Sequence, residues 1–228
     1  MNKNYKINSS DNSQSGNVLV YVLIAIVLFA ALGFTLSRQT QNSSTKEIDA
    51  AKADLYALEL LSYGAQVKLV IDQMIFTGSN ISGLIFTLPN EAGFATSPHI
   101  HKVFHPEGGG LSPSNLPKKS IAEISSPPSA GWYLGRFNNV EWSKGSGNDV
   151  ILTAHQITKA VCEKINKNIT GSISIPALIG DLDDYLVDTT NNIDLTAAAC
   201  AACEGYVTLC VSNSAVNTYS FYNIVAER

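Results

Sequence analysis

The chain has 228 residues, 45% hydrophobic and 15% charged, with a formal net charge of −4. That length suffices for one domain with a proper core beside a terminal appendage. The weak acidity, without any Lys/Arg-rich block, speaks against nucleic acid as a partner and against peripheral attachment to anionic lipid.

Residues 1–16, MNKNYKINSSDNSQSG, are polar, carry Lys3 and Lys6 and end on Gly16, which reads as a leader or cytoplasmic tail. Residues 18–36 then run without a charge. As a helix this stretch rises about 28 Å, close to the roughly 30 Å hydrocarbon core of a bilayer. A transmembrane helix is therefore expected over 17–37. No small-residue cleavage site in polar context follows it, which disfavours a cleaved secretory signal. Lys3 and Lys6 before the span, against Arg38 and Lys46 after it, favour a cytoplasmic N-terminus only slightly.

Over 38–76 the pattern becomes amphipathic and continues the anchor. Ile48, Ala51, Leu55, Leu58, Ala65 and Leu69 recur at helical spacings, with Leu61, Val67, Ile71 and Met74 widening the stripe. One buried face is expected on these residues. The first proline is Pro89, so one helix can run from 18 to about 75. Ser44 and Glu47 fit a capping box, which makes a kink or a short break near 40–44 as much expected as a straight rod. Thr77 and Gly78 end the helix. Residues 81–88 suit a strand, and 89–131, with seven of the eight prolines, reads as a long irregular linker. Strand signals at 132–137 and 140–142 flank Asn138 and Asn139, which suits a tight hairpin. Helical spacing resumes over 152–169, carrying Cys162. Segments 206–211 and 218–225 alternate and are rich in aromatic and β-branched residues, a C-terminal hairpin turned by Ser212, Asn213 and Ser214. The fold class is α+β: a long N-terminal transmembrane and amphipathic helix packed on an antiparallel sheet, with one further helix and disulfides. The exported domain spans 77–228.

The four cysteines are Cys162, Cys200, Cys203 and Cys210. Clustered late in a domain beyond a membrane span, they read as two disulfides with three open pairings. They also favour export of that domain to the periplasm. Cys200 and Cys203 have a CxxC spacing, but no strand signal precedes them and no second metal-ligand pair accompanies them. His99, His101 and His105 stand close together beside Glu107, and HxH on a strand would place two imidazoles on one face as a metal requires. In a Pro/Gly-rich loop, exposed histidines are the plainer reading. Gly108, Gly109 and Gly110 lack the lysine of a phosphate loop and read as a turn. Asp181, Asp183 and Asp184 lack the spacing of a calcium loop and suit a helix start. No catalytic grouping is present, and no enzyme activity or cofactor is expected.

A short basic leader ending in Gly16, then an apolar helix running into an amphipathic one, resembles the type IV pilin and pseudopilin superfamily. The specific likeness covers 15–38. It extends less sharply to uncharacterised alphaproteobacterial pilin-like proteins through GNVLVYVLIAIVLFAAL, VFHPEGGG, ITKAVCEKIN and YSFYNIVAER. The resemblance implies processing by a prepilin peptidase between Gly16 and Asn17, in a single-pass protein of the bacterial inner membrane. Its C-terminal domain would be periplasmic. The implied partners are the lipid bilayer and other pilin-like subunits or envelope assembly proteins of a type IV pilus or type II secretion-type system. Two positions depart from the family: Asn17 stands where an aromatic residue or Met is expected, and Tyr21 where a glutamate pairs with a neighbouring amine. A minor or tip subunit therefore fits better than a major one. The alternative is a bitopic protein whose periplasmic domain binds a partner or a metal.

Overall fold

The computed structural model describes residues 15–122, 127–187, 191, 193–213 and 215–228; within the first helix, the side chains of 15–21, 23, 25 and 29–48 fall outside that set. The chain divides into two compact units, Met1–Asp49 and Ala50–Arg228. Helix α1 covers Ser15–Phe76 and its backbone is helical through 40–44, so the break weighed there is absent. The side chains of Ser44 and Glu47, on which that expectation rested, lie outside the described residues. So do most side chains of the span expected over 17–37. Among the described residues, no helix is long and apolar enough to cross a membrane.

The second unit is α+β. Its sheet is four-stranded and antiparallel, in the order β1-β2-β4-β3, from β1 (Gly131–Arg136), β2 (Val150–His155), β3 (Thr208–Asn213) and β4 (Thr218–Ala226). Alternation along each strand divides the core between two faces. Leu152, Ala154, Phe221 and Cys210 face α1 and α2 (Lys159–Thr170). Ile151, Tyr222, Ile224, Leu209 and Val211 face the short helix α3 (Leu182–Leu186) and the segment leading to Cys203. The expected C-terminal hairpin is β3 paired with β4, from Thr208↔Asn223 to Asn213↔Thr218.

Three local expectations change. Residues 81–88 form a 3-10 turn (Ile81–Gly83) and one isolated bridge, Ile85 to Lys102, rather than a strand. No hairpin turns at Asn138 and Asn139: β1 pairs with β2, while Val140 makes only a bridge to Leu195. Asn138 is instead buried, donating to the carbonyls of Asp184 (3.0 Å) and Tyr185 (2.6 Å). The helix expected from 152 starts at Lys159, because 150–155 is an interior strand with all six residues buried. Burial on both faces erases the period-2 signal and leaves an apolar run that periodicity alone cannot assign.

His155 ends β2 at 3% exposure, its Nδ1 2.9 Å from Ser220 Oγ and its ring edge-on to Tyr133. Burial pushes its pKa down from 6.5 to about 4. Because the folded pKa lies below the unfolded one, the neutral ring's stabilisation is complete above pH 6.5 and drains away as the pH falls towards 4. The full swing is at most roughly 3 kcal/mol. Thermal melts from pH 7 to pH 4 are expected to fall more steeply for the native protein than for His155→Asn. Parallel curves would refute the assignment.

Candidate assembly surface on the first helix

In the second unit, α1 contributes residues 50–76, and two apolar stripes run along them. Ala53, Ala57, Leu60, Gly64, Val67, Ile71 and Met74 recur every three or four residues and are all buried. Small residues lead this inner stripe because the sheet comes close. A Cβ on Gly64 would sit 3.0 Å from Asn223 Nδ2 and 3.8 Å from the Phe221 ring. The upper half instead inserts Val67, Ile71 and Met74 among Leu84, Val103, Leu111 and Val225.

The sequence-based expectation named the wrong face. Ala51, Leu55, Leu58, Ala65 and Leu69, expected to be buried, are exposed, whereas Val67, Ile71 and Met74, read as widening the same stripe, belong to the opposite, buried one. The side chain of Ile48 lies outside the described residues. With Ser62, Asp72 and Phe76, the exposed set forms a strict 4-3-4-3-4-3-4 series on the outer side of the helix. Leu55 is 62% exposed, Leu58 51%, Leu69 68% and Phe76 92%. Lys52, Glu59, Gln66 and Gln73 flank this outer seam on one side, and Asp54 and Lys68 alternate with Leu61 and Ile75 on the other. An a/d-type seam is the pattern of a helix that packs on another helix. Fully burying a leucine or phenylalanine is worth roughly 1.5–3 kcal/mol.

In the first unit, Val22, Ile24, Ile26, Val27 and Leu28 are each at least half exposed. At about 100° per residue they point round the whole circumference of α1 rather than to one side. Gly16 and Asn17 lie in the first turn of α1. The Tyr21 side chain lies outside the described residues.

The other residues singled out in the sequence lie in the second unit. Cys162 pairs with Cys210, and Cys200 with Cys203. No cysteine is free. The first bridge ties α2 to β3. Beside it the buried Asn166 side chain accepts from Cys210 N and donates to Cys210 O, both at 2.8 Å, and donates to Ser174 O. The second closes the CxxC on itself, with both cysteines buried against Leu195 and Leu209. His99 and His105 stack face to face with centroids 4.0 Å apart, while His101 turns away to Ser79 Oγ at 3.1 Å. His105 Nδ1 accepts from Glu107 N. Among the described residues, no group of three or more His, Cys, Asp or Glu is placed to hold a metal ion. Asp181 stands at the N-cap position of α3, where its carboxylate accepts from Asn213 Nδ2 rather than from the helix, and Asp184 accepts from Asn191 Nδ2.

Two polar residues that sequence reasoning passed over are central to the unit's construction. Asn166 is one. The other is Lys102, 3% exposed, whose ammonium donates to the carbonyls of Gly93, Phe94 (2.7 Å) and Thr96. A single lysine directly before Val103 and Phe104 was the available signal, since a cation carried inward by apolar neighbours must be fully bonded. Comparisons with protein-family models, with curated proteins and with solved structures return no match.

Proposed function

We propose that the protein is a membrane-anchored, pilin-like structural or assembly component of a bacterial envelope machine of the type IV pilus or type II secretion kind. The observation that carries this reading is the two-sided α1: one stripe closes the protein's own core, and the other is an unused helix-packing seam. Apolar side chains on all sides of 22–28 fit a lipid environment, as does the uncharged run over 18–36. The antiparallel sheet and the disulfide at its end agree with the layout the resemblance implies. Tyr21 has no carboxylate, and an amine left unpaired in a dry core costs several kcal/mol. A minor or tip position, which needs no such pairing above it, therefore suits this chain better than a repeating one.

Amino-terminal sequencing of the protein extracted from membranes is expected to begin at Asn17, and an intact Met1 in wild-type cells would overturn the processing. Leu58→Glu tests the seam itself. The exposed change should leave the melting of the C-terminal domain within about 0.5 kcal/mol of wild type. It should also remove the chain from high-mass assemblies solubilised from membranes. Ala57→Glu, one residue away on the inner stripe, should instead unfold the domain. Assemblies that survive both Leu58→Glu and Leu69→Glu count against the proposal.

A further inference from the structure

The second unit carries a groove that none of these features uses. It is a hollow of about 680 Å³ between the outer edge of β1, Tyr63 of α1 and the segment 86–121. Gly131, Trp132, Tyr133 and Leu134 line it in succession. Successive strand residues point to opposite faces, so a hollow on one face would meet only every second one. Four in a row, with Leu152 of β2 beside them, place the hollow over the α1 side of β1 and extend it to the edge of the strand. β1 pairs with β2 alone. Among the described residues, no backbone group of 131–136 is hydrogen-bonded on the other side. Only the far end of the edge is occupied, where Arg136 Nη1 donates to the carbonyls of Ile81 (3.2 Å) and Leu84 (2.7 Å). Phe86 and Phe104 also line it, as does Glu91, whose carboxylate accepts from the N–H of Leu88.

The groove continues into a second hollow that shares Lys118 and Ile121 and adds Lys119 and Thr158. Both lysines are exposed, and among the described residues neither forms an ion pair. Among the described residues lining this second hollow, the charged ones are both lysines.

We propose that the groove binds an extended peptide segment as an added strand on β1. Apolar side chains at alternate positions enter the aromatic hollow, and a carboxylate-bearing end reaches Lys118 and Lys119. Residues 131–134 offer about 13 Å of unpaired edge, which only another backbone can satisfy along its length. A compact apolar ligand would fill the hollow and leave that edge unpaired. The edge of a second copy fits poorly, because 127–136 carries no acidic residue and adds Arg136 to the lysine end. The proposal does not depend on the membrane reading.

The test uses the full chain in lipid nanodiscs and fluorescein-labelled heptapeptides read by anisotropy. The probes are Val-Tyr-Val-Tyr-Val-Asp-Asp and the reverse order, one for each strand direction, with a Lys-Lys version of each as control. One acidic probe is expected to bind with a Kd near or below about 100 µM. Lys118→Glu combined with Lys119→Glu, both on the surface, should weaken it about tenfold. Trp132→Ala should do at least as much. Because Trp132 also packs on Tyr63 and Phe221, the lysine pair keeps the test valid if that variant fails to fold. N-methylation of alternate peptide amides should abolish binding in one phase and spare it in the other. The proposal is overturned by any one of three results: no acidic probe binding at about 1 mM, equal binding of the Lys-Lys versions, or indifference to N-methylation in both phases.

Discussion

Lys102→Met is expected to cost the C-terminal domain about 2–4 kcal/mol and to release the loop around residues 93–96. The Lys102 ammonium has three protons, and each is directed at a different backbone carbonyl of that loop. Methionine keeps the length and the apolar contacts of the stem but supplies no donor. The three carbonyls must then turn to water, taking the loop with them. The backbone of Lys102 is equally engaged: its N–H donates to His99 O, its carbonyl accepts from Gly109 N, and the bridge to Ile85 runs through the residues on either side. Gly109 sits where a Cβ would meet Val103 O at 2.5 Å and Met74 Sδ at 2.7 Å. Loosening the loop therefore exposes the end of the α1 inner stripe. Lys102→Arg should rescue only part of the loss, because a planar guanidinium cannot direct three donors as a tripod. Limited proteolysis with fragment identification checks this prediction. New cleavage confined to 89–98 in Lys102→Met is expected; a melting temperature and cleavage pattern like wild type would show that the tripod contributes little.

How much of this was legible beforehand differs element by element. The β3–β4 hairpin was readable because its residues alternate and are rich in Tyr, Phe and Val. The extent of α1 was readable because no proline interrupts it. Its orientation was not. Both stripes of 50–76 have helical spacing, and the outer one, with Leu55, Leu58 and Leu69, is the more hydrophobic at its start. The inner stripe begins with Ala53, Ala57 and Gly64, chosen for closeness to the sheet rather than for apolar area, so counting hydrophobicity selects the wrong side. β2 was misassigned for a related reason: a strand covered on both faces has no alternation to show. Lys102 and Asn166 are single polar residues whose partners are backbone groups more than five residues away, and backbone partners leave no trace in sequence. The cysteines announced disulfides but not their pairing, since spacing alone allows three connectivities.

That pairing makes unequal contributions to stability. Removing Cys162–Cys210 by a double substitution to Ala is expected to cost about 4 kcal/mol, and removing Cys200–Cys203 about 2 kcal/mol, on chain entropy alone. The first bridge joins residues 48 apart in sequence and the second residues only 3 apart, so the longer closed loop restricts the unfolded chain more. Packing widens the gap. Cys162 and Cys210 lie in the contact between α2 and the sheet, where Asn166 holds both backbone polar groups of Cys210. If α2 drifts from β3 by about 1 Å, the N–H and carbonyl of a fully buried strand residue lose their partner. Cys200 and Cys203 instead close a 3-10 turn whose intervening residues, Ala201 and Ala202, already face solvent. Denaturant melts of the two double variants, read beside the oxidised and reduced wild type, decide the matter. The order expected is wild type, then the Cys200/Cys203 variant, then the Cys162/Cys210 variant. The reverse order would mean that the turn before β3, and not the seam between α2 and the sheet, limits the stability of the domain.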